Sequence, residues 1–286
     1  MSTHQAFTVC DLLSAKPLWK MEGMVPLSIA PGKNTLALFR AAGGKGAPAA
    51  GKTLELLETA TGKELWRAAV AGGVVTFADG LISVKTAAEL LALQPRDGRV
   101  LWRRALPANT IWRRPIIAED SVLLVNDMSN EVVAFAGSDG EVRYRRDLRD
   151  GLLCDPIVIS PQRVVFHSLR MRTVTLQCLD VPTGRLAWES GLSKAAQSAG
   201  GAPPVRLGGL GLSPLVWRGC LLHLDLARHC IWPVRMDGGA VCAPVDLSAA
   251  LGGKLGEEIS SWGVTGETLY LLGKTGCVAL LRLLEQ

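Results

Sequence analysis

The hydrophobic and polar positions of this chain alternate in short runs that recur along the sequence. Four segments of thirteen residues align without gaps: LELLETATGKELW, LLALQPRDGRVLW, VVAFAGSDGEVRY and LQCLDVPTGRLAW. Each has an apolar run, a turn closed by glycine, and a second run with an aromatic residue four positions after that glycine. Short alternating runs are typical of half-buried strands, and Thr-Gly or Asp-Gly supplies the positive φ of a tight turn. Each segment therefore predicts a β-hairpin.

The hairpins recur at a regular interval, and two more apolar runs precede each of the later ones. The glycines that close the turns are spaced by 36 to 44 residues (Gly62, Gly98, Gly140 and Gly184). Before the second hairpin stand GVVTFADG and LISVKT, and before the third RRPIIAED and SVLLVND. These runs are rich in Val or Ile and are bounded by turn residues, which indicates strands. Four short strands repeated every ~42 residues predict an all-β fold, a β-propeller of four-stranded antiparallel blades.

Both ends of the chain vary this pattern and decide the predicted number of blades. FTVCDLLSAKPLW, near the N-terminus, matches the hairpin with Ala15 in place of glycine and Trp19 as the aromatic residue. A fifth blade is predicted with Gly238 at its turn, and residues 257–283 supply three strands of a last blade. We predict that residues 16–22 complete this last blade as its outermost strand, which closes the propeller. This arrangement gives six blades, and seven is the alternative.

One stretch interrupts the regular spacing of strands. Residues 190–215 are small, polar and rich in Gly and Pro, a composition typical of a long loop. We predict a flexible inter-blade loop there rather than a domain boundary. Residues 1–286 are therefore expected to form a single β-propeller domain.

The aligned hairpins share a second feature, a small residue six positions before the turn glycine. It is Ala92, Ala134 and Cys178 in three hairpins, and Leu56 in the first full one. This combination resembles the pyrroloquinoline quinone (PQQ)-type repeat, the blade of quinoprotein dehydrogenases and of an outer-membrane-assembly propeller. The resemblance covers roughly residues 8–190. It implies that the aromatic residue of each hairpin docks between adjacent blades (Trp19, Trp66, Trp102, Tyr144 and Trp188).

Two motifs suggest chemistry that their context does not favour. Gly46–Thr53 reads G-x4-G-K-T, the spacing of a phosphate-binding loop. Such a loop opens a helix, whereas the residues that follow here continue the hairpin alignment, so we predict an inserted loop. Cys220, His223, His229 and Cys230 could offer metal ligands, but strand alternation sends Cys220 and His223 to opposite faces. We predict no metal site.

The PQQ-type resemblance raises a further possibility, quinoprotein chemistry. In the dehydrogenases of that family an adjacent Cys-Cys disulfide and a tryptophan hold the cofactor, and acidic residues hold Ca²⁺. This sequence contains no adjacent pair of cysteines. Neither His4 nor His167 has an evident Ser or Cys nucleophile beside it. We predict no cofactor and no catalytic residue, and an enzyme is the less favoured interpretation.

Charge and cysteine content restrict the compartment and the partner. The chain has a net charge of +5, which tolerates acidic partners without requiring nucleic acid. Its seven cysteines are scattered and odd in number, which favours free thiols in a reducing compartment over a disulfide framework. The N-terminus lacks a basic segment followed by an apolar one, and no membrane-spanning apolar run occurs. A cytoplasmic protein without a membrane span is expected.

The basic residues are concentrated in two neighbouring blades. Seven arginines stand on or beside the predicted outer strands of the second and third blades (Arg103, Arg104, Arg113, Arg114, Arg143, Arg145 and Arg146). Charged side chains on an outer strand prevent edge-to-edge association. The same one-signed cluster could also bind an acidic partner. Both interpretations stay open from the sequence.

These observations favour a non-catalytic propeller that serves as a protein-interaction platform or assembly subunit. Bacterial gene systems combine AAA+ ATPases, von Willebrand A domains and small propellers, and by analogy of fold this chain could be such a companion. The alternative function is a small-molecule binder or an enzyme that uses the central channel, lactonase-like or quinoprotein-like. A protein partner is expected, and nucleic acid is not.

Overall fold

The structure is a computed structural model that describes most of the chain in residue detail. The described residues are 6–11, 14, 16–22, 28–40, 52–70, 72–78, 80–148, 151–152, 154–170, 173–192, 213–225, 229–248, 259–273 and 278–282. They form 26 strands, which are hydrogen-bonded into antiparallel sheets. Among these residues there is no helix with the length and hydropathy needed to cross a membrane.

The chain divides into two compact units, of which the first is Met1–Asp147. It holds a two-stranded sheet, β1 (Ala6–Cys10) and β2 (Pro17–Glu22), and three sheets of four strands each in chain order. These are β3 (Ile29–Pro31), β4 (Thr35–Arg40), β5 (Thr53–Glu58) and β6 (Glu64–Ala69); β7 (Val74–Ala78), β8 (Leu81–Lys85), β9 (Glu89–Leu93) and β10 (Val100–Ala105); and β11 (Ile116–Ala118), β12 (Ser121–Asn126), β13 (Glu131–Ala136) and β14 (Val142–Asp147).

The second unit, Leu148–Gln286, holds three sheets. In the first of them both β15 and β16 pair with β17, and β18 and β19 follow in order. The strands of the unit are β15 (Gly151–Leu152), β16 (Ile157–Ser160), β17 (Arg163–Arg170), β18 (Thr173–Asp180) and β19 (Leu186–Gly191); β20 (Leu215–Trp217), β21 (Cys220–Asp225), β22 (Cys230–Arg235) and β23 (Val245–Asp246); and β24 (Ile259–Thr265), β25 (Thr268–Gly273) and β26 (Val278–Arg282).

The aligned hairpins share one register, which explains their sequence pattern. The aromatic residue of the outer strand lies directly opposite the small residue of the preceding strand, as in the pairs Trp102 with Ala92 and Trp188 with Cys178. A register shift follows in each hairpin at the step toward the turn. At the turn the glycine N–H donates to a carbonyl four residues earlier, as Gly98 does to Gln94. The glycine has a positive φ (+71° at Gly98), a conformation that a side chain disfavours.

Apolar side chains on the facing sides of consecutive sheets form the core. Leu54 of β5 and Val84 of β8 are fully buried in one cluster, and Leu90 of β9 and Leu124 of β12 are fully buried in the next. In the second unit Val165 of β17 and Val234 of β22 share a cluster in the same way. Burying such a side chain contributes roughly 1.5–3 kcal/mol. The interior of each unit is therefore made of contacts between neighbouring sheets.

The N-terminal strand has a different partner from the one predicted. Residues 16–22 were expected to complete the last blade, but β2 is hydrogen-bonded to β1 in a hairpin of its own. The reason is that this hairpin has a complete apolar face: Phe7 and Val9 of β1 and Trp19 of β2 pack on the buried Leu38 of β4. The local turn and this shared face make β1 the nearest partner for β2.

The turn of the predicted fifth blade is shifted by one residue. Gly239, with a φ of +73°, occupies the position that the repeat assigns to its turn glycine, whereas the prediction placed Gly238 there. Gly239 N–H donates to the Arg235 carbonyl, as the equivalent glycines do. The adjacent pair of glycines made the alignment ambiguous by one position. Of the predicted loop 190–215, residues 193–212 lie outside the described residues.

Candidate functional site

Four tryptophans make the same contact with the next sheet of their unit. Each indole N–H donates to the carbonyl three residues before a turn glycine: Trp19 to Thr59 O (2.8 Å), Trp66 to Pro95 O (2.6 Å), Trp102 to Gly137 O (2.8 Å) and Trp188 to Met236 O (3.0 Å). The indole ring then covers the glycine itself. Tyr144 pairs with Ala134 in the equivalent register of β13 and β14 and is partly buried. The four tryptophans therefore join consecutive sheets within each unit.

The arginines of the outer strands are paired within the chain. Arg103 of β10 contacts Glu89 of β9 (3.2 Å), and Arg145 of β14 makes the equivalent contact with Glu131 of β13 (3.1 Å). Arg143 forms a two-point ion pair with Asp120, which holds the pKa of that carboxyl below its usual range. Carboxylates of the same sheet therefore neutralise the positive charge of these three arginines.

The remaining arginines of the predicted set have other partners, and two of them, Arg104 and Arg114, make contacts between sheets. Arg104 Nε donates to the Gly140 carbonyl (2.7 Å) and its guanidinium pairs with Glu141. Arg113 pairs with Asp127. Arg114 donates to the carbonyls of Ile29 (3.1 Å) and Val75 (3.0 Å) in two other sheets, and Arg146 is also engaged. Sheet-edge pairing is thus one role of the arginines, and their binding of an acidic partner stays a prediction.

An apolar pair that the sequence analysis did not single out is exposed beside these arginines. Ile111 and Met128 are 61% and 64% exposed, more than any other large apolar side chain of the described residues. The N–H of Asp127 donates to the Ile111 carbonyl (2.8 Å), which holds the 107–112 segment against the turn between β12 and β13. Lys85 Nζ donates to the Trp112 carbonyl from below. We call this feature, Ile111 with Met128, the apolar tip.

A buried thiol and two buried imidazoles meet inside the second unit. Cys154 Sγ lies 3.3 Å from His167 Nδ1, and the rings of His167 and His223 stand edge to face with centroids 4.8 Å apart. Burial lowers the pKa of His167 to about 3, with a further contribution from His223, and lowers that of His223 to about 4. Both imidazoles are therefore neutral near pH 7. His167 Nε2 and His223 Nδ1 have no hydrogen-bond partner among the described residues.

The motifs weighed for chemistry occupy separate places in the structure. Cys220 lines a surface groove, whereas His223 faces the interior, as their spacing on β21 requires. No group of three His, Cys, Asp or Glu side chains in the described part of the chain is arranged to hold a metal ion. After the G-x4-G-K-T motif the chain enters a strand, β5, that begins at Thr53. Residues 46–51 lie outside the described residues.

Two features of the site escaped sequence reasoning for different reasons. The meeting of His167 with His223 joins residues that are far apart in the chain, and no short motif links them. A signal existed for it, since both histidines interrupt apolar strand runs. The apolar tip had a signal too, because Ile111 and Met128 stand outside the predicted strands, between polar residues, where large apolar residues are unexpected.

Comparison with known proteins identifies the family. A sequence model of the family described as outer membrane protein assembly factor BamB matches residues 50–127 and 109–210, more than half of the chain. The chain belongs to this PQQ-like β-propeller family. The match extends over β5 to β19 and so includes all four aligned hairpins in full. No curated protein matches the chain.

Solved structures similar to this chain show its fold. The β-propeller domain of Cps50 (Swd1) from Myceliophteria thermophila has a TM-score of 0.60 at 10% identity, over 96% of this chain and 89% of that chain. Hsv2 from Kluyvelomyces marxianus has a TM-score of 0.60 at 7% identity, over 91% and 72%. A europium-containing methanol dehydrogenase has a TM-score of 0.52 at 10% identity, over 78% of this chain and 52% of that chain. At these identities the likeness shows the β-propeller fold alone.

Proposed function

We propose that this chain is a non-catalytic platform that holds another protein. The observation that carries the proposal is the apolar tip, Ile111 and Met128. It places two large apolar side chains in solvent, close in sequence to the ion pair of Arg113 with Asp127. Exposed apolar side chains grouped together and rimmed by polar residues mark interaction sites. Methionine adapts to a partner's surface because its side chain is unbranched and polarisable.

The surroundings of the tip support a rigid docking point. Arg113 and Asp127, which stand close in sequence to Ile111 and Met128, form an ion pair. Arg113 N–H donates to the Val125 carbonyl (2.9 Å), which extends the pairing with β12 beyond the end of β11. A surface ordered before binding loses less conformational entropy on binding. Buried apolar contact at the tip would supply affinity, and the ion pairs around it would supply orientation.

The family description supports a protein as the partner, since the matching family is described as an assembly factor. A more specific proposal is a cytoplasmic complex with an AAA+ ATPase or a von Willebrand A-domain protein. The cytoplasmic part is supported by the free thiols of the six described cysteines, which suit a reducing compartment. The partner class rests on analogy of fold alone. The seven outer-strand arginines are proposed to add an electrostatic contribution to the same complex.

The test is a double substitution, Ile111→Ser with Met128→Ser, in a tagged chain used to recover its partner from the native cell. We expect the recovery of each specific partner to fall at least tenfold, because truncating a central apolar contact costs well over 1 kcal/mol of binding. The matched control is Leu186→Ser with Val158→Ser, two exposed apolar residues of other strands. Equal recovery with both double variants would contradict the tip as the docking point.

A further inference from the structure

A groove on the second unit lies between the sheet of β15–β19 and the sheet of β20–β23. Its volume is about 900 Å³, within the range of ligand-binding clefts. One wall is the turn between β16 and β17 with Asp180 at the end of β18. The other wall comprises the turn between β20 and β21 and the hairpin turn that follows β22. Neither the apolar tip nor the outer-strand arginines line this groove.

Three guanidinium groups line the groove: Arg163, Arg218 and Arg235. The carboxylates beside them are already engaged. Asp237 accepts from Arg235 at two points (3.2 and 2.7 Å), and Asp180 accepts from the N–H and hydroxyl of Thr183 (3.2 and 2.6 Å). Asp237 therefore occupies the guanidinium of Arg235, whereas Asp180 is held by Thr183.

Arg163 is the guanidinium best placed for an outside anion. Among the described residues no carboxylate forms an ion pair with it. Burial raises the pKa of the nearby Cys178 thiol, and Arg163 opposes that rise. A thiol is a weak acceptor, so a carboxylate would be the stronger partner for this donor. Arg218 contacts Glu267 (2.9 Å) and lies over the ring of Trp217 (5.3 Å from its centre), which holds its side chain in place.

The groove is also lined by apolar side chains and by two thiols. Met236 and Ile159 contribute apolar surface, and Cys220 and Cys242 are half-buried free thiols. Burial raises the pKa of the Cys220 thiol, so this group is neutral near pH 7. The groove lining thus combines apolar and thiol surface with three guanidinium groups, one of which is paired with Asp237. An extended segment with alternating acidic and apolar side chains matches both properties, because alternate residues of a strand point to opposite sides.

We infer that this groove binds an extended acidic segment of the partner protein, with carboxylates on Arg163 and Arg218 and apolar side chains against Met236 and the two thiols. This inference rests on the proposed platform function and adds a second contact to it. The tip supplies an apolar docking point, and the groove supplies selectivity for negative charge.

The experiment uses the full chain and a fluorescein-labelled peptide in which glutamate and leucine alternate, with binding followed by fluorescence polarisation. We expect saturable binding that weakens as salt rises, and no binding of the peptide with glutamine in place of glutamate. Arg163→Gln should raise the Kd about tenfold, or about 1.4 kcal/mol, because it removes a charge-assisted hydrogen bond. The matched control is Arg185→Gln, an exposed arginine outside the groove, which should change the Kd less than twofold.

A second measurement locates the bound peptide. Alkylation of Cys220 and Cys242, followed by mass spectrometry, should slow when the peptide is present, and alkylation of the exposed Cys10 of β1 should not change. Equal effects of Arg163→Gln and Arg185→Gln, or unprotected thiols at saturating peptide, would overturn the inference. So would a labelled single-stranded oligothymidylate that binds as tightly as the peptide and depends equally on Arg163.

The outcomes separate this inference from the proposed function. Absence of peptide binding together with partner recovery that still depends on Ile111 and Met128 overturns the groove alone. If the peptide binds at the groove but partner recovery does not depend on Ile111 and Met128, the apolar tip is overturned as the docking point and the groove stays supported.

Discussion

The indole of Trp102 lies directly over Gly140 of the neighbouring sheet. A Cβ atom at Gly140 would stand 2.6 Å from Trp102 Cδ2, closer than side-chain atoms approach one another. The same relationship joins Trp66 to Gly98 in the first unit and Trp188 to Gly239 in the second. A side chain at each of these glycines is therefore disfavoured for two reasons: the positive φ and the indole ring that covers the residue.

Gly140→Ala should destabilise the fold more than a positive φ alone explains. The φ of +72° costs an alanine roughly 1–2 kcal/mol, and overlap with the Trp102 ring adds roughly 1–3 kcal/mol. The control is Gly80→Ala, where φ is +92° but nothing lies within 4 Å of the added atom. Urea unfolding of both variants measures the difference. Equal free energies of unfolding would contradict the ring contact as a source of stability.

Trp102→Ala should lower the free energy of unfolding by ~3–5 kcal/mol, because it removes a buried ring and the hydrogen bond to Gly137. Tyr144→Ala should cost less, since Tyr144 is partly exposed and is smaller than an indole. Thermal unfolding followed by circular dichroism measures both variants. A smaller loss at Trp102 than at Tyr144 would argue against the docking role of the tryptophan.

Deletion of residues 1–22 should destabilise the first unit although β2 pairs with β1. The deletion uncovers the apolar side chains of Leu36, Leu38 and Leu57, which the N-terminal hairpin covers. It also removes the hydrogen bond from Trp19 to the Thr59 carbonyl. We expect a lower melting temperature and a tendency to aggregate. An unchanged melting temperature would show that the hairpin contributes nothing to the packing of this unit.

Stability should fall as the pH drops from about 6.5 toward 4. His167 and His223 stay neutral in the fold because burial lowers their pKa values to about 3 and about 4, whereas an unfolded histidine takes up a proton near pH 6.5. The unfolded state therefore binds more protons than the folded state in this window. The variant His167→Leu places an uncharged apolar side chain at this position. The free energy of unfolding of this variant should therefore depend less steeply on pH. Unfolding titrations at several pH values give that slope, and identical slopes in the variant and the wild type would contradict this origin.

A role of the outer-strand arginines in partner binding can be tested separately from their contribution to stability. Arg103 and Arg145 are more than half exposed and each pairs with a glutamate of the adjacent strand, so Arg103→Ala with Arg145→Ala should cost at most ~1 kcal/mol for each pair. If these side chains also bind an acidic partner, recovery of that partner should fall, and more so at low salt. Unchanged recovery across salt concentrations would restrict these arginines to the sheet edges.

Periodicity along the chain was sufficient for the hairpins. It placed Trp66, Trp102 and Trp188 on outer strands and their turn glycines at 62, 98 and 184, because a strand and a tight turn depend on residues close in sequence. It was insufficient where two neighbours satisfied the same pattern, as at Gly238 and Gly239. It was also insufficient for β2. The pairing of this strand with β1 depended on the apolar face that the two strands together pack on Leu38.

The sequence by itself determined the four aligned hairpins and the β-propeller fold, since these follow from alternation, turn chemistry and a repeated interval. Only the tertiary structure decided which carboxylate pairs with Arg103 or Arg145, that Cys154, His167 and His223 meet, and that Arg163 lines a groove together with Arg218 and Arg235. The physical reason is distance. These contacts join different strands or sheets, and their geometry depends on how faces pack, which no pattern along the chain encodes.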